Sequence, residues 1–186
     1  MKDLYFITSN KGKYKEVANK LIEADFNVIQ KNLGYPEVQA NSLEDVVIFG
    51  VSYILEKFNK PFIIEDAGIF IKNLNDFPGV YSADVFYKIG CKGILKLLEN
   101  IEKDRNACFK SVIAYVNSDK QIHIFSGECF GDIGFEEVGS NGFGYDPIFI
   151  PKGDTRTFAE MTVDEKNLFS HRGNSLDRLL EFIKEK

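Results

Sequence analysis

Leu4-Tyr5-Phe6-Ile7-Thr8-Ser9-Asn10-Lys11-Gly12-Lys13 is the stretch that sets the fold class. Its first five residues form an apolar run rich in strand formers, as expected of a buried strand. A polar turn follows, and beyond it Tyr14, Val17, Ala18 and Leu21 recur at helical spacing. A strand that passes through a glycine-containing turn into a helix is an α/β unit. The same turn points free amides and a helix dipole in one direction, which suits an anion. It lacks the early glycine and the Lys-Ser/Thr pair of a Walker P-loop. A phosphate cradle and a plain strand-to-helix connection with exposed lysines both fit it.

The rest of the chain continues the alternation. Phe26 to Gln30 reads as a second strand, and Tyr35-Pro36-Glu37-Val38-Gln39 as an extended segment, because the residue before proline is steered away from helix. Ser42 caps a helix whose buried stripe is Val46, Val47, Gly50, Ile54 and Leu55. Pro61 to Ile71 reads as a buried strand run interrupted by Glu65 and Asp66, whose side chains alternate to opposite faces. An acid in such a run needs a cation or a metal. A crevice acid and a charge-paired structural carboxylate are equally good accounts. Asp76 to Ser82 is a turn into a helical stretch, and a further helix covers Gly93 to Leu98. Cys108 to Val116 and Gln121 to Phe130 read as a strand pair joined by a polar turn. His123, between two isoleucines, is expected to face solvent without a role.

The chemistry concentrates between Gly142 and Gly173. Gly142-Phe143-Gly144-Tyr145-Asp146-Pro147 sets aromatics between glycines, so that backbone and a flat ring approach a ligand together. A strand is expected at Pro147 to Ile150. Thr162-Val163-Asp164-Glu165 is a capping box that places Lys166 early in a short helix. Lys166, His171 and Arg172 then fall within seven positions, offering donors to an anion or a carbonyl. Leu176, Leu179, Leu180 and Ile183 mark an amphipathic closing helix from Ser175.

Composition narrows the function. The chain has 186 residues and a net charge of -5, which disfavours a general nucleic-acid binder. Cys91, Cys108 and Cys129 show no metal-ligand spacing and suit reduced, packed thiols. No apolar run approaches a membrane span and the N-terminus lacks a signal-peptide core, so a cytoplasmic protein without a membrane partner is expected. With no repeats or linker, residues 1–186 read as one domain.

In order along the chain, Thr8-Ser9-Asn10-Lys11-Gly12-Lys13, Tyr35-Pro36-Glu37, Glu65-Asp66-Ala67-Gly68, Phe77-Pro78-Gly79-Val80-Tyr81-Ser82, Gly142 to Pro147, Glu165-Lys166-Asn167 and Ser170-His171-Arg172 resemble the motifs of the inosine/xanthosine triphosphate pyrophosphatases. The resemblance covers nearly the whole chain. It implies an elongated, curved mixed sheet flanked by helices, with two lobes around a central cleft. It also implies a homodimer, and magnesium (with manganese able to replace it) held by Glu37 and Asp66, Asp66 being the proton acceptor. Substrate contacts fall to Thr8, Ser9, Asn10, Lys11, Gly12 and Lys13, to Ala67, to Phe143, Gly144, Tyr145 and Asp146, and to Lys166, His171 and Arg172. Ala67 stands where the family usually has Ser or Thr, so only a backbone amide remains there. The activity implied is hydrolysis of ITP, dITP and XTP to the monophosphate and pyrophosphate. Three rivals are a septum-inhibitor-like pyrophosphatase, a nucleotide-sensing regulator that does not hydrolyse, and an RNA-binding module.

Overall fold

A computed structural model of the chain describes every residue except Met1, Glu37 and Lys186. The opening strand is β1 (Lys2–Ile7), followed by α1 (Lys11–Ile22). β1 lies parallel to β2 (Phe26–Lys31) along its whole length. α2 (Leu43–Leu55) starts at the expected cap, with the Ser42 side chain accepting from the Asp45 amide. β3 (Phe62–Ile71) is the axis of the sheet. It runs antiparallel to β5 (Asn106–Val116) from end to end, β5 pairs with β6 (Ile122–Ile133), and β6 with the short β7 (Phe149–Pro151). The strand order is β2-β1-β3-β5-β6-β7, with β4 (Phe77–Pro78) also on β3.

What positions the site is the other edge of β3. β1 meets it only at Phe62 and Ile63, and β4 only at Phe70 and Ile71. Between those contacts no described strand covers residues 64–69, so the sheet is slit open there.

Three apolar cores follow from side-chain alternation along the strands. On one face α1 and α5 (His171–Lys184) bury Val17, Leu21, Leu176 and Leu179 against Leu4, Phe6, Ile63 and Ile113. On the other, α2 buries Val47, Val51 and Ile54 against Tyr5, Phe62, Ile64 and Val112. Each such side chain contributes roughly 1.5–3 kcal/mol. The third core joins the far ends of β3 and β5 to Cys91 and Ile94, Tyr145, Phe149 and Phe158, making a second lobe beyond the slit. The open mixed sheet flanked by helices is the fold expected.

Several local expectations change. The helical stretch after Asp76 and the helix at Gly93 run together as α3 (Ser82–Leu97), broken at Gly90, whose φ of 60° and ψ of -167° are non-helical. The residues before β7 form a short 3-10 turn, so the strand begins at Phe149 rather than Pro147. His123 does not face solvent: its ring packs 4.3 Å from that of Phe182 on α5, while Ile122 and Ile124 are exposed. The helix lies on the face that His123 shares with Phe125, and that decides which side of β6 is inward. α5 also starts earlier than its leucine stripe suggests, because Ser170 caps it by accepting from the Gly173 amide. All three cysteines are free and buried.

Candidate active site

Two cavities meet at the slit. One, of about 540 Å³, lies on the α5 side and is lined by Phe109, Phe143, Tyr145, Lys166, His171 and Arg172, among others. The second, of about 320 Å³, lies on the α2 side and is lined by Thr8, Ser9, Tyr35, Tyr81 and neighbours. Asn10, Lys13 and Asp66 line both.

Lys13 is delivered by the first turn of α1, which Asn10 caps by accepting from the Lys13 amide. Its ammonium reaches into the slit and donates to the Glu65 carbonyl at 3.2 Å, an acceptor that a neighbouring strand would otherwise take. It also lies 3.0 Å from Glu65 Oε2 and 3.4 Å from Asp66 Oδ1. The two acids do project to opposite faces, and Lys13 reaches both because it enters from the edge. Burial opposes the charge on Lys13, but Glu65 and then Asp66 raise its pKa above the ordinary lysine value. Burial lifts Asp66 above the usual carboxylate range; Lys13 pulls against that, and Glu65 adds to it. The Ala67 amide beside the carboxylate also pulls the Asp66 pKa down, by less than Lys13 does.

On the α5 side the charges form one continuous buried chain. Arg172, 1% exposed, donates from Nε and Nη2 to Glu65 Oε1 and from Nη1 to Glu16 Oε2. Glu16 accepts in turn from the Lys166 ammonium at 2.7 Å, and Lys166 reaches Asp146 Oδ2 at 2.6 Å. Asp146 holds the aromatic loop by accepting from the Phe143 amide at 2.8 Å. Buried acids and bases alternate here because an unpaired one would be very costly. Burial disfavours the Glu65 carboxylate, yet Arg172 and Lys13 outweigh it and hold the pKa at about 2. Glu16 is lowered for the same reason, with burial opposed by Arg172 and Lys166. His171 stacks on Phe109 with ring centroids 4.6 Å apart, and its buried Nδ1 has no hydrogen-bond partner. Burial, with Arg172 and Lys166 nearby, pushes its pKa well below 6.5, so it is neutral at pH 7.

The α5 end of the site depends on a close approach. A Cβ on Gly127 of β6 would lie 2.2 Å from the His171 carbonyl oxygen, so only glycine lets the first turn of α5 sit flush on the sheet. Phe143 is seated in the same way. Its ring packs on Gly12, where a Cβ would come within 2.4 Å of Cδ1, and it lies beneath the Lys166 and Arg172 cations at 5.2 and 5.6 Å.

The sequence-predicted residues therefore converge, with differences. Thr8, Ser9, Asn10, Lys13, Asp66, Ala67, Phe143, Gly144, Tyr145, Asp146, Lys166, His171 and Arg172 line one cavity or both. Lys11 is exposed and lines neither, and Gly12 acts through Phe143. Tyr145 directs its hydroxyl away, onto the Ser82 carbonyl at 3.0 Å. Glu37 lies outside the described residues. Two buried acids were missed as parts of the site, Glu16 and Glu65. Glu65 carried a signal, an acid within an apolar strand run; Glu16 showed only an i+3 spacing from Lys13.

A central strand whose acid meets a helix-borne lysine at a gap between two cavities defines a crevice-type α/β ligand-binding protein. The chain belongs to the Ham1 family, whose sequence profile matches residues 4–182. It is 52% identical over 181 residues to the dITP/XTP pyrophosphatase of Pyrococcus horikoshii, covering 97% of this chain and 96% of that one. It is 49% identical to the dITP/XTP pyrophosphatase of Thermococcus kodakarensis, covering 98% and 97%. Among solved structures, the Ham1 protein of Staphylococcus aureus superposes with a TM-score of 0.82 at 30% identity, both chains being covered in full.

Proposed function

We propose that this protein is a nucleoside triphosphate pyrophosphatase that hydrolyses deaminated purine nucleotides (ITP, dITP and XTP) to the monophosphate and pyrophosphate. The observation that carries the reading is the convergence of Lys13 and Asp66 at the slit, where an aromatic cavity meets the Thr8-to-Lys13 loop. The purine base occupies the larger cavity against Phe143, with Arg172 and the neutral His171 as polar partners. The phosphates extend past Lys13 toward the α1 N-terminus, whose free amides and dipole favour anions. Asp66, with its raised pKa, accepts the proton of the water that attacks the α-phosphorus. Pyrophosphate leaves, and Lys13 offsets its charge.

Magnesium, or manganese in its place, is part of this proposal. Among the described residues no three acidic, histidine or cysteine side chains gather into a metal cage. Magnesium does not need one, since it commonly takes one or two carboxylates together with substrate phosphates and water. Asp66, partly exposed where both cavities meet and held loosely by Lys13 at 3.4 Å, fits that donor set, and Glu37 would be its second ligand. The ion supplies positive charge to the phosphate oxygens when bound. The resemblance adds a homodimer, which sedimentation equilibrium checks; a cytoplasmic setting is part of the same proposal, and cell fractionation checks it. Net charge argues against a nucleic-acid partner. No helix among the described residues is long and apolar enough to cross a membrane.

The test is product analysis with magnesium present. ITP, dITP and XTP should each yield the monophosphate and pyrophosphate, ATP and UTP should be barely touched, and exhaustive chelation should abolish turnover. Release of orthophosphate, or equal use of ATP, would overturn the reading.

A further inference from the structure

Glu65 stands between the phosphate side and the base side of the cleft, and nothing above gives it a part in the reaction. Its carboxylate is fully buried, with a side-chain exposure of 0%. The two oxygens are held unequally. Oε1 accepts from Arg172 Nε at 3.2 Å, from Arg172 Nη2 at 3.0 Å and from Ser111 Oγ at 2.7 Å. Oε2 has no directed hydrogen bond, and its close neighbour is the Lys13 ammonium at 3.0 Å. One negative charge is thus shared by the two cations that face opposite ends of the ligand.

We propose that Glu65 is a positioning residue that couples the two ends of the site, so that a polyanion held at Lys13 tightens base binding at Arg172. This rests on the nucleotide reading above. The physical argument is competition for one carboxylate. Phosphate oxygens arriving at Lys13 from the open side of the slit take up its positive charge, and the hold of Lys13 on Oε2 weakens. The carboxylate is then committed to Arg172, whose guanidinium is fixed more firmly. No solvent reaches this carboxylate, so salt screens the exchange far less than it would at the surface. The frame is rigid, because Ser111 Oγ also lies 3.2 Å from Ser175 Oγ on α5, the helix that carries Arg172. Glu16 is the natural contrast. It pairs Arg172 with Lys166 and forms no ion pair with Lys13.

Splitting the ligand into its two ends tests this. Inosine is titrated by calorimetry or protein-observed NMR with and without saturating inorganic pyrophosphate, at one magnesium concentration. In the wild type, pyrophosphate should tighten inosine binding by about fivefold or more, and inosine should tighten pyrophosphate binding equally, since coupling free energies are reciprocal. In Glu65→Gln both fragments should still bind, with the coupling reduced to within about twofold of none. Glu16→Gln should weaken inosine while keeping the coupling, which a merely structural role for buried carboxylates would not predict. Ser111→Ala, which removes one of the three donors to Oε1 but leaves the charge, should show an intermediate coupling and serves if Glu65→Gln does not fold. Coupling that persists unchanged in Glu65→Gln or Ser111→Ala, or that is missing from a wild type binding both fragments, overturns the proposal. A wild type that binds neither fragment overturns the nucleotide reading itself.

Discussion

The cavities that meet at Asp66 are built in opposite ways. The α2-side cavity takes much of its wall from a contiguous segment, Thr8 to Lys13, that turns from strand into helix. The α5-side cavity draws on α3, β5, the Gly142-to-Asp146 loop, α4 (Val163–Asn167) and α5. The first relies on partial charges fixed by backbone direction. The second relies on full charges, alternating in a buried chain from Lys13 to Asp146 and overlaid by aromatic rings. Affinity for a phosphate chain can come from amides, a lysine and a bound cation, whereas choosing among bases needs donors whose directions are locked. The contrast therefore matches what each half of the proposed ligand demands.

The strongest test strikes the junction. Asp66→Asn keeps the size of the side chain while removing the proton acceptor, and single-turnover hydrolysis of ITP should slow by roughly 10²–10⁴-fold. A rate near wild type would leave Asp66 as a structural partner of Lys13. Next, Arg172→Ala should damage the α5-side cavity most. It leaves Glu16 and Glu65 short of a buried partner, a loss that typically costs about 3–5 kcal/mol and should show as a lower melting temperature. It should also collapse the preference for ITP over ATP. Arginine only donates, and it meets an acceptor oxygen at position six of hypoxanthine but a donor amino group in adenine. Sites built on such a bond discriminate by about 10⁴-fold. A ratio that survives would move selectivity to the backbone of the Gly142-to-Asp146 loop.

A smaller effect separates the cavities by pH. His171 has a folded-state pKa well below 6.5, so the unfolded chain takes up that proton first. Its contribution to stability is complete above pH 6.5 and is lost as the pH falls below it, by at most about 1.4 kcal/mol per pH unit. Melting curves between pH 7 and 5, above the range where Glu65 adds its own loss, should slope in the wild type and flatten in His171→Gln. Equal slopes would place the protonation elsewhere. Smallest of all, Gly12→Ala joins the two sides by pushing the Phe143 ring out of its seat. The ring is the far end of a flexible side chain, so the fold should survive. Base stacking is worth about 1–3 kcal/mol, and a partial loss should raise KM by up to about tenfold with kcat kept. An unchanged KM would mean that Phe143 does not stack on the base.

This contrast also explains what could be read from the chain. The Thr8-to-Lys13 loop was legible because its physics is local: a strand, a cap and a helix in succession. The aromatic loop and Lys166 were legible as spacing and as a capping box. What escaped was pairing at long range. Arg172 reads as a donor free to meet a base, yet much of its capacity is spent on Glu16 and Glu65, which lie 156 and 107 residues away. His123 reads as solvent-facing because alternation gives two faces without saying which of them α5 covers. The break in α3 at Gly90 likewise depends on how that helix must bend over the second lobe, and periodicity carries no such information.

The slit in β3 bears on a different property, the protein's behaviour at high concentration. An exposed strand edge is a template on which other chains add, and proteins commonly blunt such edges with a lysine or cover them. Here residues 64–69 are paired with β5 on one side, and their open edge lies in the interior of the sheet, bracketed by β1 and β4. Lys13 already occupies the Glu65 carbonyl. The ammonium that lines the cleft thus denies a foreign strand one of its anchoring acceptors, so this enzyme keeps an open edge without offering it for self-association.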